Sequence, residues 1–267
     1  MANKTIVITG ASSGIGEGVA YRLAHDGHRL VLAARHRDQL AAVAAEAARR
    51  GATGTLVIET DVTRRADMER LSRAAIDAFG GYDVWINNAG RGITKSVLDL
   101  TDDDFDEIMA INVKSALYGM QVATPHFVER GSGQIINVSS FLGRVPLAIH
   151  RSAYNAAKAA LNSLTANLRT ELAARAPNVR VTLFMPGMVN TDFARNALNA
   201  PEGTGGYSGP HVQTIEQVAD IMAVVIEHPV AEVYTNSASK EMAKKYLEDP
   251  TIFDAPGSNP WMPRPVS

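Results

Sequence analysis

Seven short, apolar, β-rich runs alternate with longer helical stretches, and this rhythm restricts the possible folds more than any other feature of the chain. The runs are Thr5-Ile6-Val7-Ile8-Thr9, Leu30-Val31-Leu32-Ala33, Leu56-Val57-Ile58, Val84-Trp85-Ile86, Ile135-Ile136-Asn137-Val138, Val179-Arg180-Val181-Thr182-Leu183 and Glu232-Val233-Tyr234. Most are continuously apolar rather than alternating, the pattern of parallel strands covered by helices on both faces. Alanine-rich helical stretches, among them Arg37 to Arg50, Arg64 to Phe79 and Ala153 to Ala174, lie between them. Parallel neighbours need a crossover, and such crossovers are right-handed. The pattern predicts an α/β protein, doubly wound, with a mostly parallel seven-stranded sheet.

A chain of 267 residues suits one large domain or two small ones. No repeat or linker divides it. Pro201, Gly203, Gly205, Gly206 and Gly209 crowd into the stretch Asn199 to Gly209. After it, Thr214-Ile215-Glu216-Gln217 forms a capping box that opens a helix with Val218, Ile221, Met222 and Val225 on one face. A glycine-rich loop of about 188–212, anchored to that helix, reads as a lid over a site or as a surface excursion. From Asp254 to Ser267, Pro256, Pro260, Pro263 and Pro265 predict an extended tail, in which Trp261 and Met262 leave room for docking on a neighbouring subunit.

The formal charge of −2 offers no footprint for nucleic acid or an anionic membrane. No apolar run approaches the ~20 residues that span a bilayer, and the N-terminus lacks a signal-peptide core. Cysteine is absent, which removes disulfides and thiolate chemistry. The seven histidines, His25, His28, His36, His126, His150, His211 and His228, show no metal-ligand spacing, so no metal is assigned. A soluble, cytoplasmic protein is expected.

The first strand ends in Thr9-Gly10-Ala11-Ser12-Ser13-Gly14-Ile15-Gly16, and a helix follows. Glycines at a strand-to-helix turn let the backbone approach a pyrophosphate, which the helix N-terminus favours through its free N–H groups and dipole. The spacing is G-x-x-x-G-x-G rather than the generic dinucleotide G-x-G-x-x-G. The second strand ends Ala33-Ala34-Arg35-His36-Arg37, with no carboxylate before Asp38. An acid there suits the ribose 2′-hydroxyl of NAD, an arginine the 2′-phosphate of NADP. Arg35 therefore favours NADP(H), with NAD(H) the less favoured alternative.

In Tyr154-Asn155-Ala156-Ala157-Lys158 a phenol and an ammonium stand four apart on a helix, hence on one face. A tyrosine of pKa ~10 is a poor acid–base group at neutral pH; a nearby cation favours the phenolate and brings it toward the working range. The pair does not stand alone. The chain up to about Thr191 resembles the short-chain dehydrogenase/reductase family in its compact, single-domain form. The resemblance rests on Thr9 to Gly16, Asp61-Val62, Asn87-Asn88-Ala89-Gly90, Asn112, Ser139-Ser140, Tyr154 with Lys158, and Pro186-Gly187-Met188-Val189-Asn190-Thr191, all in the family's order.

The resemblance implies a Rossmann-type domain over 1–253 that binds NADP and carries the catalytic groups, followed by the tail at 254–267. Tyr154 is then the general acid in carbonyl reduction, or the base in alcohol oxidation. Lys158 lowers its pKa and binds the nicotinamide ribose, Ser140 orients the substrate oxygen, and Asn112 holds a water in the proton relay. Gly10, Ser12, Ser13, Gly14, Ile15 and Gly16 surround the phosphates. Asp61 and Val62 meet the adenine, and Asn88, Ala89 and Gly90 the adenosine ribose. Pro186, Gly187, Val189 and Thr191 meet the nicotinamide carboxamide. Hydride passes between nicotinamide and the carbonyl carbon of a small or medium, partly apolar substrate. A homodimer or homotetramer is implied as well.

One departure lies between Ser140 and Tyr154, whose interval is one residue longer than is usual in the family. The loop Phe141 to Ala153, which borders the substrate in the family, is therefore altered. Ile93, Leu142, Met188 and Phe193 are candidate pocket or core residues, and His150 a candidate substrate contact. Asp102-Asp103-Asp104 after Thr101 places negative charge at the start of the helix that bears Asn112, and Pro125 marks a kink or the last turns of that helix. Two rival functions remain: a 3-oxoacyl thioester reductase on the same scaffold, and a non-catalytic dinucleotide-binding sensor.

Overall fold

A strand's successive side chains point to opposite faces, so each continuous apolar run feeds two cores at once. The computed structural model describes residues 3–205, 209 and 211–254. Seven strands form its sheet: β1 (Thr5–Thr9), β2 (Arg29–Ala34), β3 (Gly54–Glu59), β4 (Val84–Asn87), β5 (Gly133–Val138), β6 (Val179–Met185) and β7 (Glu232–Tyr234). Eight α-helices accompany them: α1 (Gly14–His25), α2 (Arg37–Arg49), α3 (Arg65–Phe79), α4 (Asp102–Met109), α5 (Ser115–Arg130), α6 (Ser152–Arg175), α7 (Ile215–Glu227) and α8 (Ser237–Glu248). Ile6, Ile8, Leu30 and Leu32 pack with α1, α2 and α7 through Val19, Leu23, Leu40, Val218 and Met222. On the other face Val7, Val31, Trp85 and Ile135 pack with α3, α5 and α6 through Met68, Leu71, Phe127 and Leu161. Fully burying each such aliphatic side chain contributes about 1.5–3 kcal/mol.

The strand order is β3-β2-β1-β4-β5-β6-β7, and every neighbouring pair is parallel. The chain leaves β1 toward β2 on one side and later returns to place β4 on the other. That reversal opens a crevice at the carboxyl ends of β1 and β4, where ligands of open α/β sheets bind. Thr214 and Gln217 form the expected capping box of α7, each side chain accepting from the other residue's backbone N–H. α5 runs through Pro125 and continues to Arg130, so the proline lies inside the helix.

α8 has no counterpart among the helices read from the sequence. Its one apolar edge, Met242, Ala243 and Tyr246, packs against Phe141, Val145 and Leu147, next to Ser140. Gly206 of the glycine-rich loop and tail residues Pro256, Pro260, Trp261, Met262, Pro263 and Pro265 lie outside the described residues.

Candidate active site

Between Thr9 and Gly14 the chain must leave the sheet and start α1, and two glycines allow the turn to close. Gly10 has φ +64, and a Cβ there would lie 2.8 Å from the Ala89 Cα. A Cβ on Gly16 would lie 2.3 Å from the Gly10 carbonyl oxygen, so α1 touches the turn directly. Ser13, the N-cap of α1, makes no side-chain capping bond, whereas α4 and α7 are closed by capping boxes. The first N–H groups of α1, at its positive dipole end, thus have no side-chain cap where Ser13, Gly14 and Ile15 border the crevice, although α2, α3 and α6 are uncapped as well. Gly10, Ser12, Ser13, Gly14 and Ile15 line this cleft of about 1480 Å³. Gly16 lies beneath it as a packing contact.

Arg35, Asp61, Val62, Asn88, Ala89 and Gly90 line the same cleft. Arg35 follows β2 and is exposed. Burial opposes ionisation of Asp61, but Thr63 Oγ1 and N donate to its carboxylate at 2.7 and 3.0 Å. These bonds and the charges of Arg35 and Arg64 hold its pKa below the ordinary value. Asn88 also braces the turn: its Nδ2 donates to the carbonyls of Thr9 and Gly10 at 3.0 and 3.1 Å. Arg37 and Asp38 are absent from the lining, while His36, Gln39 and Thr63 join it. Sequence reading passed over these three.

α6 places Tyr154 and Lys158 one turn apart in the lining of the same cleft, with Lys158 Nζ 5.6 Å from the centre of the phenol ring. Lys158 is 3% exposed and donates to the Val138 carbonyl at 2.9 Å. Burial pulls its pKa down to about 7. Tyr154 is buried, and the Phe193 ring lies 5.4 Å from its own at a tilt of 60°. Ser140 lines the cleft and caps the short turn Phe141–Gly143, its Oγ accepting from Leu142 N at 3.2 Å.

Asn112 sits on a π-helical turn, Ala110–Lys114, between α4 and α5. Such turns recur at functional sites. Its Nδ2 donates to the carbonyls of Ile108 and Arg91, and its Oδ1 accepts from Arg91 N. Asn112 is outside the cleft lining, but a Cβ on Gly90 would lie 2.8 Å from Asn112 Oδ1 and 3.5 Å from Lys158 Nζ. Both side chains thus approach Gly90.

Pro186, Gly187, Val189 and Thr191 also line the cleft, together with Met188, Phe193, Leu142 and His150. Ile93 is fully buried core. Asn137, Asn162 and Thr165 carried no signal in the sequence, yet they support motif residues Asn87 and Ser139. Ser139 donates to Asn162 Oδ1 at 2.5 Å, and Asn162 Nδ2 donates to the Gly143 carbonyl, fixing the turn after Ser140 to α6. Behind them Asn87, Asn137 and Thr165 form a buried chain of hydrogen bonds at 2.8 and 2.9 Å.

A doubly wound parallel sheet, a glycine turn opening on an uncapped helix and a buried Tyr–Lys pair beside a serine define a dinucleotide-binding oxidoreductase of the Rossmann type. Comparison makes this specific: the short chain dehydrogenase family matches residues 4–202, and the chain belongs to that family. An uncharacterized oxidoreductase of Staphylococcus aureus (strain N315) is 38% identical over 191 residues, which are 72% of this chain and 80% of the relative. A short chain dehydrogenase/reductase from Burkholderia phymatum, solved in complex with NAD, is 26% identical with a TM-score of 0.84, covering 99% of this chain and 98% of that one. A short-chain dehydrogenase from Sphingobium yanoikuyae, solved in complex with NADPH, is 26% identical with a TM-score of 0.77, covering 94% and 96%. Among the described residues no helix is long and apolar enough to cross a membrane, and no cluster of three or more acidic or histidine side chains is placed to hold a metal ion.

Proposed function

We propose that the protein is an NADP(H)-dependent oxidoreductase that interconverts a carbonyl and a secondary alcohol, with residues 1–253 acting as one binding and catalytic unit. The observation that carries this reading is the buried Tyr154–Lys158 pair in a cleft that Ser140 and the glycine turn also line. The residues present suit a dinucleotide. A Cβ would fill the turn at Gly10, and the uncapped start of α1 suits a pyrophosphate. Asp61 and Val62 would flank the adenine, and Pro186, Gly187, Val189 and Thr191 the nicotinamide.

A nicotinamide dinucleotide held there would supply or take up the hydride. The chain's own residues handle position and protons. In reduction, the Ser140 hydroxyl donates a hydrogen bond to the substrate oxygen and orients it. The Tyr154 phenol donates its proton to that oxygen, and in oxidation the phenolate accepts one. The Lys158 ammonium favours the phenolate, and its position in the cleft lining near Gly90 suits the ribose hydroxyls. Asn112 commits both amide hydrogens to the Ile108 and Arg91 carbonyls, so the relay-water role that the family resemblance implies would fall to an oxygen of this residue rather than to its N–H groups.

Preference for NADP(H) is supported by Arg35 at the cleft and by the absence of Asp38 from its lining. A guanidinium matches a phosphate in charge and geometry. The related structures with NAD and with NADPH show that this scaffold accommodates both. A panel of aldehydes, ketones and a 3-oxoacyl thioester, followed by NADPH absorbance, tests the function. Turnover of a simple carbonyl is the expected result. Turnover of the thioester alone would replace the substrate class, and NADPH binding without any turnover would favour a sensor.

A further inference from the structure

The loop after β6 is held down by a side chain that no motif marks. We propose that Asp104 is a positioning residue that, through Asn199, holds the loop 188–199 closed over Tyr154. The proposal rests on the assignment of Tyr154 as the acid–base group.

Asp104 belongs to the capping box of α4, and that duty engages one carboxylate oxygen. Oδ2 accepts from Thr101 N at 3.2 Å and Thr101 Oγ1 at 2.8 Å, and from Lys95 Nζ at 2.5 Å. The second oxygen reaches across sequence: Oδ1 accepts from Asn199 Nδ2 at 2.9 Å. Asp104 is 8% exposed. The Lys95 and Thr101 bonds keep its carboxyl far below the usual carboxylate range, so it is ionised at any working pH. Asn199 has φ 56, the only non-glycine residue at positive φ among those described. Asparagine tolerates this left-handed conformation, which lets the chain turn here with its side-chain amide directed to Asp104.

From Asn199 the grip passes to the site in short steps. Leu198 N donates to the Gly92 carbonyl at 2.8 Å and Thr94 N to the Leu198 carbonyl at 2.9 Å, a parallel bridge that lays the loop on Gly92–Lys95. A Cβ on Gly92 would lie 3.0 Å from Phe193 Cε1 and 3.3 Å from Ala197 Cβ. The glycine lets the loop settle, and Phe193 then rests on the Tyr154 ring. The far edge of the same segment holds the start of α6. Lys95 N donates to the His150 carbonyl at 2.9 Å, and Ser152 Oγ to the Lys95 carbonyl at 2.7 Å. Asp104 therefore grips both partners at once: Lys95 of the segment beside Tyr154, and Asn199 of the loop above it.

The test reverses the polarity of one bond. Asn199→Asp sets two carboxylates against each other; adding Asp104→Asn restores a donor–acceptor pair and leaves an oxygen for Thr101 and Lys95. Hydrogen exchange of the peptide 188–199 and tryptic cleavage after Arg195 report loop opening, with β4 exchange as the control for global unfolding. Loss of a hydrogen bond to a charged group predicts about tenfold faster exchange and cleavage in Asn199→Asp, with β4 unchanged. The double variant is expected within about threefold of the parent, as coupled sites require. Unchanged loop exchange in Asn199→Asp, or a double variant as open as the single one, would overturn the proposal. Exchange is read without turnover, so failure of the Tyr154 assignment would show separately, as full activity in Tyr154→Phe.

Discussion

Lys158 carries a charge that the fold does not want. It is 3% exposed, its Nζ donates to the neutral carbonyl of Val138, and burial alone pulls its pKa from 10.5 to about 7. Each pKa unit corresponds to about 1.36 kcal/mol, so keeping the ammonium protonated in the folded state costs about 5 kcal/mol as a ceiling. The sign follows from proton counts. Between pH 7 and 10.5 the unfolded chain binds the proton and the folded one does not, so stability rises with pH across that window. Below it the folded protein carries the full penalty.

Replacing Lys158 with methionine removes the charge at similar length and orphans the Val138 carbonyl, a loss of about 1–3 kcal/mol. Lys158→Met is therefore expected to be about 2–4 kcal/mol more stable than the parent near pH 6.5, by urea unfolding. Near pH 9.5 about 1 kcal/mol of the penalty remains, so the advantage should vanish or reverse. Turnover should be lost at both pH values. A stability difference that does not change with pH, or a variant that is less stable near pH 6.5, would refute the reasoning. Stability surrendered to keep a buried cation is a common mark of a working site.

Arg35→Ala is expected to weaken NADPH binding about tenfold and to leave NADH binding nearly unchanged, as loss of a charge-assisted phosphate contact predicts; equal effects on both, read by fluorescence titration, would remove Arg35 from 2′-phosphate recognition. His28 is 1% exposed, accepts from Lys4 N through Nδ1, and has its pKa lowered chiefly by burial. Its contribution to stability is present above the unfolded value of 6.5 and is lost as pH falls through the lower folded value. Between pH 6.5 and 5 the parent should therefore lose more stability than His28→Asn, which keeps an acceptor but takes up no proton; parallel unfolding curves would contradict this.

The sheet was legible because its signal is local. Runs such as Ile6–Ile8 are apolar at every position, and two cores need every position. The Tyr154–Lys158 spacing and the Thr214 capping box were legible for the same reason: each is a relation within one helical turn. α8 was not, because Ser237–Glu248 is polar nearly all round and gains its few contacts from Phe141 and Val145, far away in sequence. The π-helical turn at Asn112 has no marker in Ala110-Ile111-Asn112-Val113-Lys114. Asn137 and Asn162 lie within a strand and a helix, and only tertiary pairing shows that Asn137 joins Asn87 to Thr165 and that Asn162 holds Ser139 and the turn after Ser140. The acidic run Asp102–Asp104 reads as dipole compensation, whereas Asp104 turns inward to Lys95 and Asn199.

The most direct test of the proposed chemistry is Tyr154→Phe. It removes one hydroxyl while keeping the ring that packs on Phe193. NADPH titration and steady-state turnover are measured together on the carbonyl that the parent reduces best. The expected result is an unchanged NADPH Kd with kcat lowered at least about 100-fold, the lower range of a positioned acid–base group. A variant that keeps more than about a tenth of the parent kcat would contradict the assignment of Tyr154 as the proton donor.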